Sequence, residues 1–193
     1  PSGARPLRVL HLSDIHMTPD QRRKQEWLRG LASLKPDLVI NTGDNLAHME
    51  SVPIVADTLG GLLDVPGVFV LGSNDYFSPG LKNPLRYLMP DDGRRVTDTP
   101  TLPVGELRKR LGAGGWLDLT NRFGHLEVEG VRLAFAGVDD PHLAYDDLAA
   151  VAGPLLREDH RSTGPLPSTP AELAQRIKDV RLLLVAARPL DRA

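Results

Sequence analysis

Residues 7–12, 38–40 and 68–71 are short apolar runs, and each gives way at once to a polar cluster. The clusters are Ser13-Asp14-Ile15-His16, Asn41-Thr42-Gly43-Asp44 and Gly72-Ser73-Asn74-Asp75. Helical patterns over 21–34 and 53–63 fill the two intervals. Asp14, Asp44 and Asn74 therefore stand 30 residues apart, twice over. A strand-helix-strand crossover takes about 30 residues. Such crossovers are right-handed almost without exception and join parallel strands. Parallel strands bring all their C-terminal ends to one edge of the sheet, where open α/β sheets build their ligand sites. The spacing thus predicts that the three polar clusters meet.

The rest of the chain reads more loosely. In the first helix Trp27, Leu28, Leu31 and Leu34 follow helical spacing, with Arg22, Arg23 and Lys24 facing away. Trp27 and Trp116 are expected as packing residues. Beyond the third cluster the pattern predicts helices over 83–89 and 104–111, then strands over 116–121, 126–129 and 131–137. Glu129-Gly130 is a hairpin turn between the last two of these. Helices over 146–151 and 171–178 and a strand over 181–186 complete the reading. Residues 153–170, which contain Pro154, Pro165, Pro167 and Pro170, are expected to be a surface loop. A chain with 18 glycines, 17 prolines and 5% aromatic residues suits an α/β fold better than a helical bundle.

Composition removes several function classes. The absence of cysteine excludes a disulfide scaffold, a thiolate metal site and a cysteine nucleophile. A formal net charge of −2 argues against a dedicated nucleic-acid binder. No apolar run approaches the length of a membrane span, and no signal peptide opens the sequence.

The clusters carry metal-ligand chemistry. Asp14 and His16 straddle Ile15, and on an extended segment residues two apart point to the same side. A carboxylate and an imidazole then face one point. Asp44 follows a glycine, so its backbone can approach closely, and its two oxygens can bridge two cations. Asn74 offers an amide oxygen that adds a ligand without adding charge. This sulfur-free donor set suits Mn, Fe, Zn or Mg. Each cluster alone is a common turn. Three of them, evenly spaced at strand ends, make a site.

Ser13-Asp14-Ile15-His16, Asn41-Thr42-Gly43-Asp44-Asn45 and Gly72-Ser73-Asn74-Asp75 resemble the calcineurin-like metallophosphoesterases. Their pattern is Asp-x-His, then Gly-Asp, then Gly-Asn-His-Asp or Glu. The run from Leu10 to Phe77, with residues 115–121 and 135–141, looks like a bacterial branch related to membrane-associated phosphohydrolases. The resemblance implies a four-layer α/β/β/α sandwich with two divalent metal ions at the C-terminal strand ends. Asp14, His16 and Asp44 would hold one metal, Asp44 would bridge, and Asn74 would bind the second. The implied reaction is hydrolysis of a phosphate mono- or diester by a metal-activated hydroxide. The implied partner is a small phosphorylated substrate, with no specific nucleic acid. A cytoplasmic location, or peripheral association with a membrane on the cytoplasmic side, goes with it; oligomeric state stays open.

The third motif departs from the pattern. Aligned without a gap, Ser73 falls on the family's metal-binding Asn and Asn74 on its His. Shifted by one, Asn74 is the ligand and Asp75 replaces the His. The shift is preferred because an amide oxygen is a better ligand than a neutral hydroxyl. Asp75 then stands as the substitute proton donor. His48, four residues past Asp44, is close enough to touch phosphate, and His142 could stand near the site mouth. His11 is read as a core or interface residue.

At the other end of the chain, Ala186 and Ala187 sit where the family has a His, and no Gly-His-x-His segment follows. The second metal site is therefore expected to be weak. Pro1 and Ala193 read as cut edges, so residues 1–193 are taken as one partial metallophosphoesterase domain, truncated at its C-terminus. The competing reading is a non-catalytic scaffold or binding domain that kept the fold and lost the complete dinuclear site.

Overall fold

The computed structural model describes residues 5–79, 100–158 and 182–189. The first half is a repeated strand-helix unit: β1 (Val9–Leu12), α1 (Arg22–Gly30), β2 (Leu38–Asn41), α2 (Ser51–Thr58), α3 (Gly60–Leu63), β3 (Gly67–Phe69) and α4 (Ser73–Tyr76). Then come α5 (Val104–Ala113), β4 (Leu117–Asp118), β5 (Arg122–Val128), β6 (Val131–Gly137), α6 (Leu148–Glu158) and β7 (Leu182–Pro189). Strands β1 to β4 pair in chain order, all parallel. Strands β5, β6 and β7 form a separate antiparallel sheet.

Strand alternation explains how the layers stack. Along β2, β3 and the two residues after β3, Val39, Phe69 and Leu71 point into one cluster, while Leu38, Val68 and Val70 point into another. The first cluster takes Leu28 of α1, Val52 and Val55 of α2, Leu62 of α3, and Leu107 and Leu111 of α5. The second takes Val128, Val131, Leu133 and Phe135 of the antiparallel sheet. On that sheet's far face Ala136 meets Val151 and Ala152 of α6. The architecture is the expected α/β/β/α sandwich. A sheet wound in one direction puts every crossover on one face. Its other face is apolar and unpaired until the second sheet covers it.

Several local expectations change. Helix α1 ends at Gly30, and residues 31–34 continue as a 3-10 turn before Lys35 adopts a left-handed conformation (φ 49°). Only Leu28 of α1 is buried. Trp27 is 62% exposed because it lies about 100° round the helix from Leu28. Lys24 does not face away, since its Nζ reaches back to the carbonyl of Ile15 at 2.7 Å. The helix expected over 53–63 is broken at Leu59, where two weak helix formers, Gly60 and Gly61, follow. Only Leu117 and Asp118 pair in the strand expected over 116–121. Residues 153–158 are the end of α6 rather than loop. The helices expected over 83–89 and 171–178, and His160, lie outside the described residues.

Strand β7 runs antiparallel to β6, with Leu182 opposite Gly137 and Pro189 opposite Val131. Ala186 and Ala187 therefore pair with Ala134 and Leu133 midway along the strand. The expectation that they stand at the ligand edge fails, because this strand enters from that edge instead of ending there. Among the described residues no helix is long and apolar enough to cross a membrane.

Trp116 anchors the helical layer from the end of α5. It is 2% exposed, and its Nε1 donates to Val65 O at 3.2 Å. The ring lies flat against Gly67, where an added Cβ would come within 2.5 Å of ring atoms. Gly67→Ala must push the tryptophan off β3 and is expected to cost about 1–3 kcal/mol. Urea unfolding of the two proteins side by side measures it, and equal midpoints would contradict this packing.

Candidate metal centre

The site stands where β1, β2 and β3 end. Beyond Leu12 the chain leaves the sheet, and both Asp14 (φ 55°) and His16 (φ 43°) are left-handed. Ile15 between them is 6% exposed and belongs to the helical-side core. The pair thus converges for a different reason from the one expected. It is not strand alternation but two left-handed residues on either side of a buried anchor. After β2, Gly43 (φ 90°) and Asp44 (φ 57°) repeat the device. Such conformations cost about 1–3 kcal/mol each in a non-glycine residue and persist only where the surroundings impose them.

The surroundings here are backbone hydrogen bonds between loops. Asp14 N donates to Gly43 O at 3.1 Å, His16 N to Asp44 O at 2.9 Å, and Met17 N to Asn45 O at 2.8 Å. Lys24 Nζ holds the Ile15 carbonyl from the other side, and Ser51 Oγ donates to Met17 O at 2.6 Å. A reciprocal amide pair braces the second loop. Asn41 Nδ2 donates to Asn45 Oδ1 at 2.7 Å, and Asn41 Oδ1 accepts from Gly43 N at 3.0 Å. Gly43 lies so close to the third loop that a Cβ would meet Gly72 N at 2.4 Å. Glycine is needed there both for its φ and for the space.

Asp14, His16 and Asp44 each offer one ligand atom, all within 4.8 Å of one another. Their burial is graded. Asp44 is 6% exposed, while the side chains of His16 and Asp14 are 37% and 64% exposed. His16 Nε2 lies 3.7 Å from Asp14 Oδ1, and Ser13 Oγ donates to Asp14 Oδ2. Asp44 Oδ1 accepts from Asn74 N at 3.0 Å, which brings the start of α4 to the cluster. Two carboxylates and an imidazole aimed at one point form a donor set for a borderline divalent cation. These residues fit a metal.

The calcineurin-like phosphoesterase family model matches residues 7–162. The chain belongs to that family. No curated protein matches it. Membership carries metal-dependent phosphoester hydrolysis as the family's chemistry, and the Asp14, His16 and Asp44 cluster is where a calcineurin-like phosphoesterase fold would hold its cation here.

Asp75 is not placed as a proton donor. It has no solvent exposure, and its oxygens are committed to N–H donors. Oδ1 accepts from Asn45 N at 2.7 Å and Leu46 N at 3.2 Å; Oδ2 accepts from Asp44 N at 2.9 Å and Gly72 N at 3.0 Å. Burial, with the charge of Asp44 nearby, pushes its carboxyl up to about 6 against the pull of these donors. With both oxygens accepting from backbone N–H groups, the side chain positions the loop that carries Asp44. His48 is exposed and stands outside the cluster, with Nδ1 accepting from Glu50 N at 3.2 Å. His11 is exposed rather than buried, with Nε2 2.9 Å from Thr42 Oγ1.

Sequence reasoning gave no site role to Lys24, Asn41, Asn45, Asp139 or Asp140. The last two lie just after β6, as the other clusters lie just after β1, β2 and β3. That shared position was the available signal.

Asp75→Asn keeps size and shape but turns an NH2 toward one pair of backbone donors, whichever way the amide faces. Unsatisfied buried donors cost about 1–3 kcal/mol each. A loss of about 3 kcal/mol in urea unfolding is expected at pH 7. A variant as stable as the parent would show that the Asp75 clamp is not formed.

Proposed function

We propose that this chain is a metal-dependent phosphoesterase acting on a small phosphorylated substrate, a mono- or diester. The observation that carries the proposal is the convergence of Asp14, His16 and Asp44 from two left-handed loops that the backbone holds in place. Asp14, His16 and Asp44 would hold one divalent cation, and Asp44 with Asn74 would serve a second. When bound, the metal supplies positive charge for the phosphoryl oxygens and a water acidified enough to attack phosphorus at neutral pH.

The chain's own residues do the rest. Asp44 is shielded from water, so its charge acts through a low-dielectric surrounding. Its orientation is set by the Asn74 N–H on Oδ1. Asp14, the most exposed of the three, leaves the cluster open on the side where a substrate enters. His48 is the proposed substrate contact. With Nδ1 accepting from Glu50 N, the neutral ring carries its proton on Nε2. That is the tautomer needed to donate to a phosphate oxygen or to a departing alkoxide.

Two measurements test this reading. Calorimetric titration with Mn2+ should show binding that Asp44→Asn abolishes. Hydrolysis of bis(p-nitrophenyl) phosphate and of p-nitrophenyl phosphate should depend on the added metal, and Asp44→Asn should lower the rate about 100-fold or more. A parent protein that neither binds Mn2+ nor exceeds the blank rate on either ester would leave the non-catalytic scaffold as the reading.

A further inference from the structure

Among the described residues, the antiparallel sheet reaches the metal centre through the segment that follows β6. Asp140 has no solvent exposure, and its Oδ2 accepts from Ser73 N at 2.8 Å. Its Oδ1 accepts from His142 N at 2.7 Å and Leu143 N at 3.2 Å, so the same carboxylate shapes its own turn. Asp139, 6% exposed, accepts from Tyr76 OH at 2.6 Å and, through Oδ1, from Asp140 N at 2.8 Å. The Tyr145 ring stands edge-on to Tyr76 with centroids 5.2 Å apart. Residues 139–145 thus grip both ends of α4.

The grip is itself anchored. Asn121 Oδ1 accepts from Asp139 N at 2.9 Å and from Asp147 N at 2.7 Å, and its Nδ2 donates to Tyr145 O at 2.8 Å. One side chain therefore ties both ends of the segment and the start of the stretch that follows it. At the start of α4 three successive N–H groups each meet a carboxylate of different origin. Gly72 N goes to Asp75, Ser73 N to Asp140, and Asn74 N to Asp44. Ser73 N and Asn74 N lie in successive peptide planes joined at the Cα of Ser73, and the helical turn of α4 fixes the angle between those planes, so holding Ser73 N restrains where Asn74 N points. Asn74 N in turn holds Asp44 Oδ1.

We infer that Asp140 is a positioning residue of the metal centre, acting through the Ser73–Asn74 backbone on the Asp44 carboxylate. The inference rests on the metal-centre reading above. It adds a residue from the second sheet that touches neither the cation nor the substrate. Partners that orient a ligand from outside the coordination sphere are commonly worth 10- to 100-fold in metal affinity.

The experiment compares the parent with Asp140→Asn and with Asp37→Asn. Asp37 accepts from Arg8 N and from Arg5 at the opposite end of β2, so it reports general destabilisation. Mn2+ binding is measured by calorimetry, and amide hydrogen exchange is followed at Ser73 and Asn74. Asp140→Asn should weaken Mn2+ binding about 10-fold or more and speed exchange at both amides about 10-fold or more. Asp37→Asn should do neither. Unchanged affinity, or unchanged exchange at the two amides, overturns the inference.

A parent that binds no Mn2+ defeats the functional reading instead, and the exchange data alone then decide whether Asp140 holds α4. If Asp140→Asn fails to fold, Ser73→Pro removes the same donor. Proline suits the first helical position, and Gly72 is already extended (φ −121°, ψ 171°). Faster exchange at Asn74 is expected there, and parent-like exchange counts against the grip.

Discussion

The Asp75 carboxylate accepts hydrogen bonds from two loops at once, those that follow β2 and β3, while having no contact with solvent. A buried charge is tolerated only where donors replace the lost water, and here backbone N–H groups do so on both oxygens. From this one residue the order of the site follows outward. Asp75 holds the Asp44 loop against Gly72, and the Gly43 contact with that backbone leaves no slack between them. The Gly43 and Asp44 carbonyls then receive Asp14 N and His16 N. The third strand end supports the second, and the second supports the first.

The sandwich determines what can stand on the far side of that stack. With every helix of the first sheet on one face, the other face packs Val68 and Val70 against Phe135 and Leu133. This contact sets the height at which β6 ends, and β6 ends beside α4. A doubly wound sheet would have put a helix there and a crevice at the point where strand order reverses. This sheet runs in order without reversal. Its site is bounded on one side by the second sheet rather than opened by a change of winding direction.

Much of this was legible because strand length and crossover length are set by simple geometry. The 30-residue interval located Asp14, Asp44 and Asn74 at one sheet edge without reference to any side-chain contact. What was not legible was conformation beyond the strand ends. An Asp-x-His segment reads equally well as extended or as two left-handed residues, and the choice is made by the carbonyls of Gly43 and Asp44 on the next loop. Asp75 looked like a proton donor because sequence shows charge and not burial. Trp27 looked like core because apolar spacing does not say how wide the buried stripe of a short helix is. The direction of β7 is a matter of its pairing with β6, and no local pattern specifies it.

The left-handed residues bear on how the site meets a cation. Asp14, His16 and Asp44 each adopt a conformation costing about 1–3 kcal/mol, so something other than local preference holds them. Ile15 and Met17 flank His16 and are 6% and 0% exposed. Burying side chains of this size contributes about 1.5–3 kcal/mol each. The inter-loop hydrogen bonds contribute about 1 kcal/mol apiece. These terms are of the same size as the strain, and none of them involves a metal. The fold itself therefore holds the loops in a shape that points two carboxylates and an imidazole at one place. A cation held there would meet backbone that is already ordered, and its binding free energy would go into coordination rather than into folding the loops.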